Sequence, residues 1–240
     1  MERLVHVFDN GVRVYDDHLL PLQRARYGKR NVHEAEEEDT FVELLRSLPP
    51  DGRFVDIGAA IGYYPLLAKR LAPGLEVHAV EPLASHRQRF LENIALNGFE
   101  PGDFTIHAEA ISSSVGRAKF IEDGFGSGIA KNSDEPRVRS RPTREVPSTT
   151  LDRLVERIGS PVDLCQMDVQ GHEMDVLKGA RRCLAADRIG TFLIGTHSPR
   201  LHRGCIDMLT EHGYRIRHDV YQTKEQPDGI LVASAPLPSA

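Results

Sequence analysis

The sequence predicts an α/β fold on a mostly parallel sheet, and three observations carry that prediction. From Arg53 onward short apolar runs alternate with helical segments. A glycine-punctuated turn follows the first run. The last two runs, Tyr214 to Tyr221 and Gly229 to Ser234, are joined through Pro227-Asp228-Gly229, a connection short enough to favour an antiparallel pair. No repeat, low-complexity tract or linker divides the 240 residues, so a single domain is expected.

Each element follows from its local pattern. Val5, Val7, Val12 and Val14 alternate around Asp9-Asn10-Gly11, where Asn-Gly suits the two positive-φ positions of a tight turn, so the chain opens with a hairpin. Phe41, Leu44, Leu45 and Leu48 recur at helical spacing behind an acidic first turn and stop at Pro49-Pro50; hairpin and helix make residues 1–50 an N-terminal extension. Phe54 to Ile57 reads as a strand, Gly62 to Leu71 as a helix, Glu76 to Val80 as a strand, and Ala84 to Asn97 as a helix closed by Gly98. Strands follow at Phe104 to Ile111 and Val115 to Ile121. Residues 122–148 form an excursion with at least one strand, suited to acceptor recognition. The rhythm resumes with a helix from Thr150 to Ile158, a strand from Val162 to Val169, a helix from Glu173 to Leu184, a strand from Ile189 to Thr196, and a helix from Leu201 to Glu211.

Composition narrows the function. Thirty Lys and Arg against 35 Asp and Glu give a formal net charge of −5, which offers no general attraction to nucleic acid. No run approaches a membrane span and the N-terminus lacks a signal-peptide core, so neither a membrane nor secretion is expected, and the location expected is cytoplasmic. Cys165, Cys183 and Cys205 are odd in number and not spaced as CxxC, as expected for free thiols.

In open α/β sheets the ligand sits beyond the carboxyl ends of the strands where strand order reverses. Here the first strand ends Asp56-Ile57-Gly58-Ala59-Ala60-Ile61-Gly62. Glu81 ends the second strand, 23 residues after Gly58, where a carboxylate can accept both hydroxyls of a ribose. A nucleoside cofactor is expected. GxGxxG would admit a pyrophosphate at its middle glycine, but Ala60 stands there, which argues against NAD. Asp56, two residues before Gly58, suits a cationic amino group, as S-adenosylmethionine carries. Simple helix-on-strand packing by Gly58 and Gly62 is the bland alternative.

The chain resembles the FkbM family of S-adenosylmethionine-dependent methyltransferases. Phe54 to Tyr64, Val80-Glu81-Pro82, Arg89 to Gly98, Ala110-Ile111-Ser112, Thr149 to Asp152, and Asp163 to Glu173 running on to Val176 through Ala180 carry the likeness, over roughly residues 31 to 215. It implies a Rossmann-like class I methyltransferase fold of seven strands with a final antiparallel one, and the family's characterised members mainly methylate hydroxyl groups. A sugar or natural-product intermediate is the acceptor expected. The cofactor contacts expected are Asp56, Gly58, Ala59, Ala60, Gly62, Tyr63, Glu81, Pro82, Glu109, Ala110 and Asp168. Two acids usual in the family are replaced, by Gln170 in Asp168-Val169-Gln170-Gly171-His172-Glu173 and by Gly195 in Gly195-Thr196-His197. An NAD-dependent oxidoreductase and a non-catalytic S-adenosylmethionine-binding protein stand as alternatives.

Methyl transfer to a hydroxyl requires in-line alignment and removal of a proton. Asp168, His172 and His197 fall at or just after strand ends that face the methyl group in this fold. His197 is the expected base, as a neutral imidazole, with Asp168 orienting it or the acceptor and His172 the second choice; alternatively His172 caps a helix and His197 serves a backbone group. The same three could hold a divalent metal, though no HExxH-like spacing supports one and none is assigned. Substrate contacts are expected from Glu34 and Glu37 beside His33, from Phe125 in a Gly-rich lid, and from Arg137 and Arg139, which with Arg141 alternate on one strand face. A solvated helix start, a surface loop and an exposed strand face are the respective alternatives. Tyr63 and Tyr64 touch the methionine end or belong to the core. Oligomeric state is not legible in the sequence.

Overall fold

The computed structural model describes residues 3–28, 30–124, 126–130, 141–159, 161–223 and 228–236. Phe125, Arg137 and Arg139 lie outside them.

The hairpin of β1 (Val5–Val7) and β2 (Arg13–Tyr15) buries Val12 and Val14 completely and leaves Val5 and Val7 exposed. Its turn closes with Gly11 N–H donating to Phe8 O and Phe8 N–H donating to Val12 O, both at 2.9 Å. Gly11 alone in the turn has positive φ, so one left-handed residue suffices where Asn-Gly suggested two. A short helix that sequence reasoning did not assign, α1 (Pro21–Arg26), starts on the fixed φ of Pro21. The expected acidic helix is α2 (Ala35–Arg46), which buries Phe41 and Leu45.

The core alternates as expected: β3 (Arg53–Ile57), α3 (Tyr63–Leu71), β4 (Glu76–Val80), α4 (Ala84–Leu96) and β5 (Phe104–His107). The strand expected over 104–111 is in fact two. Ala110 and Ile111 (β6, Ala110–Ile111) leave the main sheet and pair in parallel with Ser148 and Thr149. With β7 (Gly116–Ile121), β8 (Gly128–Ile129) and β9 (Thr143–Thr149) they form a second sheet in the order β6-β9-β7-β8. The excursion therefore supplies strands β8 and β9.

After α5 (Leu151–Ile158) and β10 (Val162–Met167), the expected helix over 173–184 is also two, α6 (Glu173–Lys178) and α7 (Arg181–Ala185). Asp152 explains the break: its carboxylate accepts from Cys183 N–H at 2.8 Å and Arg182 N–H at 3.2 Å, capping the second helix. The chain continues through β11 (Ile189–Thr196), α8 (Pro199–Glu211), β12 (Arg215–Val220) and β13 (Gly229–Ser234).

The main sheet has seven strands in the order β12-β13-β11-β10-β3-β4-β5, with β13 antiparallel to both its neighbours. Alternation along β3 sends Phe54 to one face, against Phe41, Leu66 and Phe90, and Val55 and Ile57 to the other, against Leu151 and Val176. Strand order reverses between β3 and β10, so a crevice opens at their carboxyl ends.

Asn93 ties the N-terminal hairpin to that crevice. Fully buried on α4, it donates from Nδ2 to Ile61 O at 3.0 Å, accepts at Oδ1 from Tyr15 N–H at 3.3 Å, and pairs with His18 Nδ1 at 3.1 Å. Replacing Asn93 by Ala strands several buried partners, and we expect about 2–3 kcal/mol less stability. Urea denaturation with an unchanged m-value checks this; a loss below about 0.5 kcal/mol, the scale of an ordinary surface change, refutes it.

Candidate active site

The crevice encloses a cavity of about 310 Å³, a size suited to a small-molecule ligand. Every expected cofactor contact except Gly62 lines it, from Asp56 through Glu81 to Asp168, together with His172 and Glu34. Gly62 sits just behind as the left-handed residue that starts α3.

Two glycines make the turn possible. Gly58 has φ +96°, and a Cβ there would lie 2.0 Å from Asp168 O; a Cβ on Gly62 would lie 1.9 Å from the Phe90 ring. The turn is then pinned by backbone, since Gly58 and Ala59 N–H donate to Val80 O at 3.0 and 3.1 Å. Ala60 is left-handed too, at φ +46°, and its N–H donates to Glu81 Oε2 at 3.0 Å, while Leu83 N–H donates to Oε1 at 2.7 Å. Glu81 is thus held by two amides with further lone pairs left on each oxygen. The Ala60 amide, which a pyrophosphate would need, is already committed to this carboxylate.

Around the nucleoside end, Asp56 is buried, its carboxyl accepts no hydrogen bond from a described residue, and it titrates well above the usual carboxylate range because of burial and the charges of Asp168 and Glu81. Arg87 fixes the β4 exit by donating to Glu81 O and Pro82 O at 2.9 and 2.7 Å. Glu109 lines the cavity while paired with Arg157, and Ala110 is buried beside it. Tyr63 presents its ring to the cavity, but its hydroxyl belongs to the N-terminal segment: it donates to Glu38 and accepts from Asn10 Nδ2 at 2.8 Å.

The other end is built differently from expectation. His197 does not line the cavity. Its Nδ1 meets Glu173 Oε1 at 2.7 Å, and its Nε2 lies 3.3 Å from Asp168 Oδ1 and 3.9 Å from Asp228 Oδ1. Burial alone would lower its pKa, but the Glu173 hydrogen bond and the charges of Asp168, Glu173 and Asp228 outweigh it and raise the value to about 9. A raised pKa and a place outside the cavity lining depart from the neutral base expected of His197. Glu173, fully buried, also accepts from Gly171 N–H at 2.8 Å.

Asp168 faces the cavity, with Gln170 Nε2 donating to its Oδ1 at 3.0 Å. Removal from water raises its pKa to about 6; His197 opposes the rise, and Glu34, Asp228 and Glu173 add to it. His172 starts α6 without its side chain bonding a helix N–H. His33 lines the cavity, pairs with Tyr27 OH at 3.1 Å, and is kept neutral by burial, with its pKa lowered to about 4. No group of three or more His, Cys, Asp or Glu among the described residues is arranged to hold a metal ion.

Glu37 corrects another expectation. It does not reach the cavity; it is buried behind β10, accepting from Gln166 Nε2 at 2.8 Å, and burial with Glu34 and Asp168 pushes its carboxyl well up. Its Oε2 lies 3.6 Å from where a Cβ on Gly195 would stand. A carboxyl from α2 therefore fills the space beside a position where the family usually carries an acid. Arg141, on the expected arginine strip, pairs with Asp123 at 3.2 Å. Gln166, Glu173 and Asp228 were not picked out as site residues. Asp228 sat within a turn read only as a connector, and Gln166 within an apolar strand run.

The sequence profile of the family described as Methyltransferase FkbM domain matches residues 56–216, more than half of the chain. The AMB antimetabolite synthetase AmbE of Pseudomonas aeruginosa is 27% identical over 232 residues, spanning 78% of this chain but 11% of that protein. A Jannaschia sp. (strain CCS1) protein classed with the methyltransferases is 29% identical over 236 residues, spanning 87% of this chain and 81% of its own length. Among solved structures, methyltransferase FkbM from Methylobacillus flagellatus KT superposes with a TM-score of 0.57 at 19% identity, covering 78% of this chain and 45% of that one. Aeropyrum pernix fibrillarin, solved with natively bound S-adenosyl-L-methionine, reaches 0.50 at 13%, covering 82% and 74%. At those identities the two structures attest the fold alone.

Because His197's pKa is raised in the folded state, its stabilisation is fully present below the unfolded value near 6.5 and is lost as pH rises through about 9. Histidine ring shifts followed by NMR should titrate His197 near 9, and Glu173→Gln should bring that midpoint back toward 6.5. A midpoint below 7 in the unaltered protein would contradict the charge assignment.

Proposed function

The chain belongs to the FkbM methyltransferase family, and from that premise we propose that it transfers the methyl group of S-adenosylmethionine to a hydroxyl of a small molecule. The observation that carries this reading is the pairing of two carboxylates across one glycine turn: Glu81, anchored by the Ala60 and Leu83 amides, and Asp168, poised against His197. The donor set fits the cofactor. Spare lone pairs on Glu81 suit a ribose diol, and the buried, unbonded carboxyl of Asp56 suits an ammonium. The committed Ala60 amide disfavours a dinucleotide.

S-adenosylmethionine supplies an electrophilic methyl group on a sulfonium, so the protein must align the acceptor oxygen and take its proton. Asp168 is assigned that proton. With a pKa of about 6 it is ionised at pH 7 yet more basic than an ordinary carboxylate, as a general base should be. His197 stays charged between Asp168 and Glu173, fixing the Asp168 carboxylate without competing for the proton. Gln170 serves the same end by donating to Oδ1, which a glutamate there would do only when protonated. His172, inside the cavity, remains the second candidate for contact with the acceptor oxygen.

Calorimetry with S-adenosylmethionine, S-adenosylhomocysteine and NAD tests the cofactor, and binding of NAD alone would sink the reading. Glu81→Gln should weaken S-adenosylhomocysteine about tenfold or more, the loss of one charge-assisted contact. Asp168→Asn should leave that affinity within about threefold and cut kcat by about 10²–10⁴. Turnover should rise with pH through about 6 and fall above about 9 as His197 deprotonates. Full activity in Asp168→Asn would remove the base assignment.

A further inference from the structure

Two glutamines on the cavity wall each spend one end of the side-chain amide on the protein and keep the other. The helix α1 brings Gln23 to the cavity at 7% exposure. Its Oε1 accepts from Leu20 N–H at 3.0 Å, and because a backbone N–H can only donate, the orientation of this amide is fixed. Nε2 is left over and donates to no described residue. Gln170 is the reverse case. Its Nε2 donates to Asp168 Oδ1 at 3.0 Å, an ionised carboxylate can only accept, and its Oε1 takes no hydrogen bond from a described residue. Gln170 also holds a left-handed backbone at φ +52°, which few residues other than glycine adopt and which persists only where the surroundings enforce it.

The two unspent ends belong to one part of the cavity. A Cβ on Gly124 would lie 2.8 Å from the Leu20 side chain, and one on Gly128 would lie 3.2 Å from Gln170 Cβ. Ser127 N–H closes the turn between these glycines by donating to Gly124 O at 3.2 Å. One short turn therefore touches both the residue whose amide Gln23 binds and Gln170 itself. Asp168 is bonded to the other end of the Gln170 amide, so the free carbonyl stands beside the proton-accepting carboxylate at the width of one amide group.

A free donor and a free acceptor together select what fills the space. A carboxylate accepts from Gln23 but brings no hydrogen to Gln170, and an ammonium donates to Gln170 but cannot accept from Gln23. A hydroxyl does both through one oxygen. We propose that Gln23 and Gln170 are specificity-determining residues that hold a second hydroxyl of the methyl acceptor, next to the one whose proton Asp168 takes, so that the acceptor carries vicinal hydroxyls. The methylated hydroxyl rests on the methyl-transfer reading above; the clamp on its neighbour does not. Gln23 stands outside residues 56–216, so this preference is set in part by the N-terminal extension rather than by the family domain.

The test uses the full chain saturated with S-adenosylhomocysteine, titrated at pH 7 and followed by NMR. The probes are cyclohexanol and its relatives with one substituent on the adjacent carbon: cyclohexane-1,2-diol in both isomers, 2-aminocyclohexanol and 2-hydroxycyclohexanecarboxylate. The better-fitting diol should bind at least about tenfold more tightly than cyclohexanol, the amine or the acid. Gln23→Glu can still accept from Leu20 N–H and so keeps the start of α1, but it replaces the free donor by an acceptor. It should cut the advantage of the diol over cyclohexanol to about threefold or less while leaving the affinity for S-adenosylhomocysteine within about threefold. Gln170→Asn tolerates the same left-handed backbone with a shorter side chain and should cut that advantage in the same way. A smaller advantage in the unaltered protein, binding of none of the probes, or an advantage that survives either substitution overturns the proposal. If S-adenosylhomocysteine itself fails to bind, the methyl-transfer reading falls, and the same titrations on the unloaded chain still decide the clamp.

Discussion

A Cβ atom at Gly58 would lie 2.0 Å from the carbonyl oxygen of Asp168, and the absence of that atom lets the end of β3 meet the end of β10. The contact sets the spacing of the crevice. With β3 and β10 in register from Phe54 and Leu164 to Ile57 and Met167, the residues that follow each strand emerge side by side. Glu81 then secures the other flank by gripping the Ala60 amide, so the turn is held from β10 on one side and β4 on the other. A side chain at position 58 would push these elements apart and separate Asp56 and Glu81 from Asp168.

The chemistry grows from how charge is distributed around that spacing. A carboxylate kept from water resists ionisation, and like charges nearby strengthen the resistance, which is why Asp168 is raised in pKa. The neighbouring carboxylates have the opposite effect on His197, favouring its charged form and raising its pKa. Glu173 is the hidden member of the set, fully buried and bonded both to the Gly171 amide and to the imidazolium. The two departures from the family pattern fit this arrangement. Gln170 contributes a donor to Asp168 where another acid would add repulsion, and Gly195 leaves room for Glu37.

The N-terminal extension acts through its second half. No described residue of the hairpin lines the cavity; the hairpin is clamped to α4 by Asn93 and by Asn97, which exchanges hydrogen bonds with both backbone groups of Arg13. Asn10 extends the clamp to Tyr63 and Glu38. That anchorage holds the following segment over the crevice, where Leu20, Gln23, Arg26, His33 and Glu34 form part of the wall. Leu20 lies close enough to Gly124 that a Cβ there would come within 2.8 Å of it, so this segment and the β7–β8 loop meet across the site.

The sequence by itself determined the order of strands and helices, the glycine turn with Asp56 before it, Glu81 at the end of the next strand, and the antiparallel closing pair. These are local matters: apolar period, turn chemistry and connection length act over a few residues, and the backbone obeys them. Only the tertiary structure decided that His197 stands among Glu173, Asp168 and Asp228 rather than in the cavity lining, that Asp168 faces the cavity with its pKa raised, and that Glu37 turns away behind β10. Each of those depends on distances among residues far apart in the chain, such as Glu34, Asp168, Glu173 and Asp228, and a titration point is a property of that neighbourhood. The split of β6 from β5 and of α7 from α6 likewise awaited partners far along the chain, in Ser148 and Thr149 for one and Asp152 for the other.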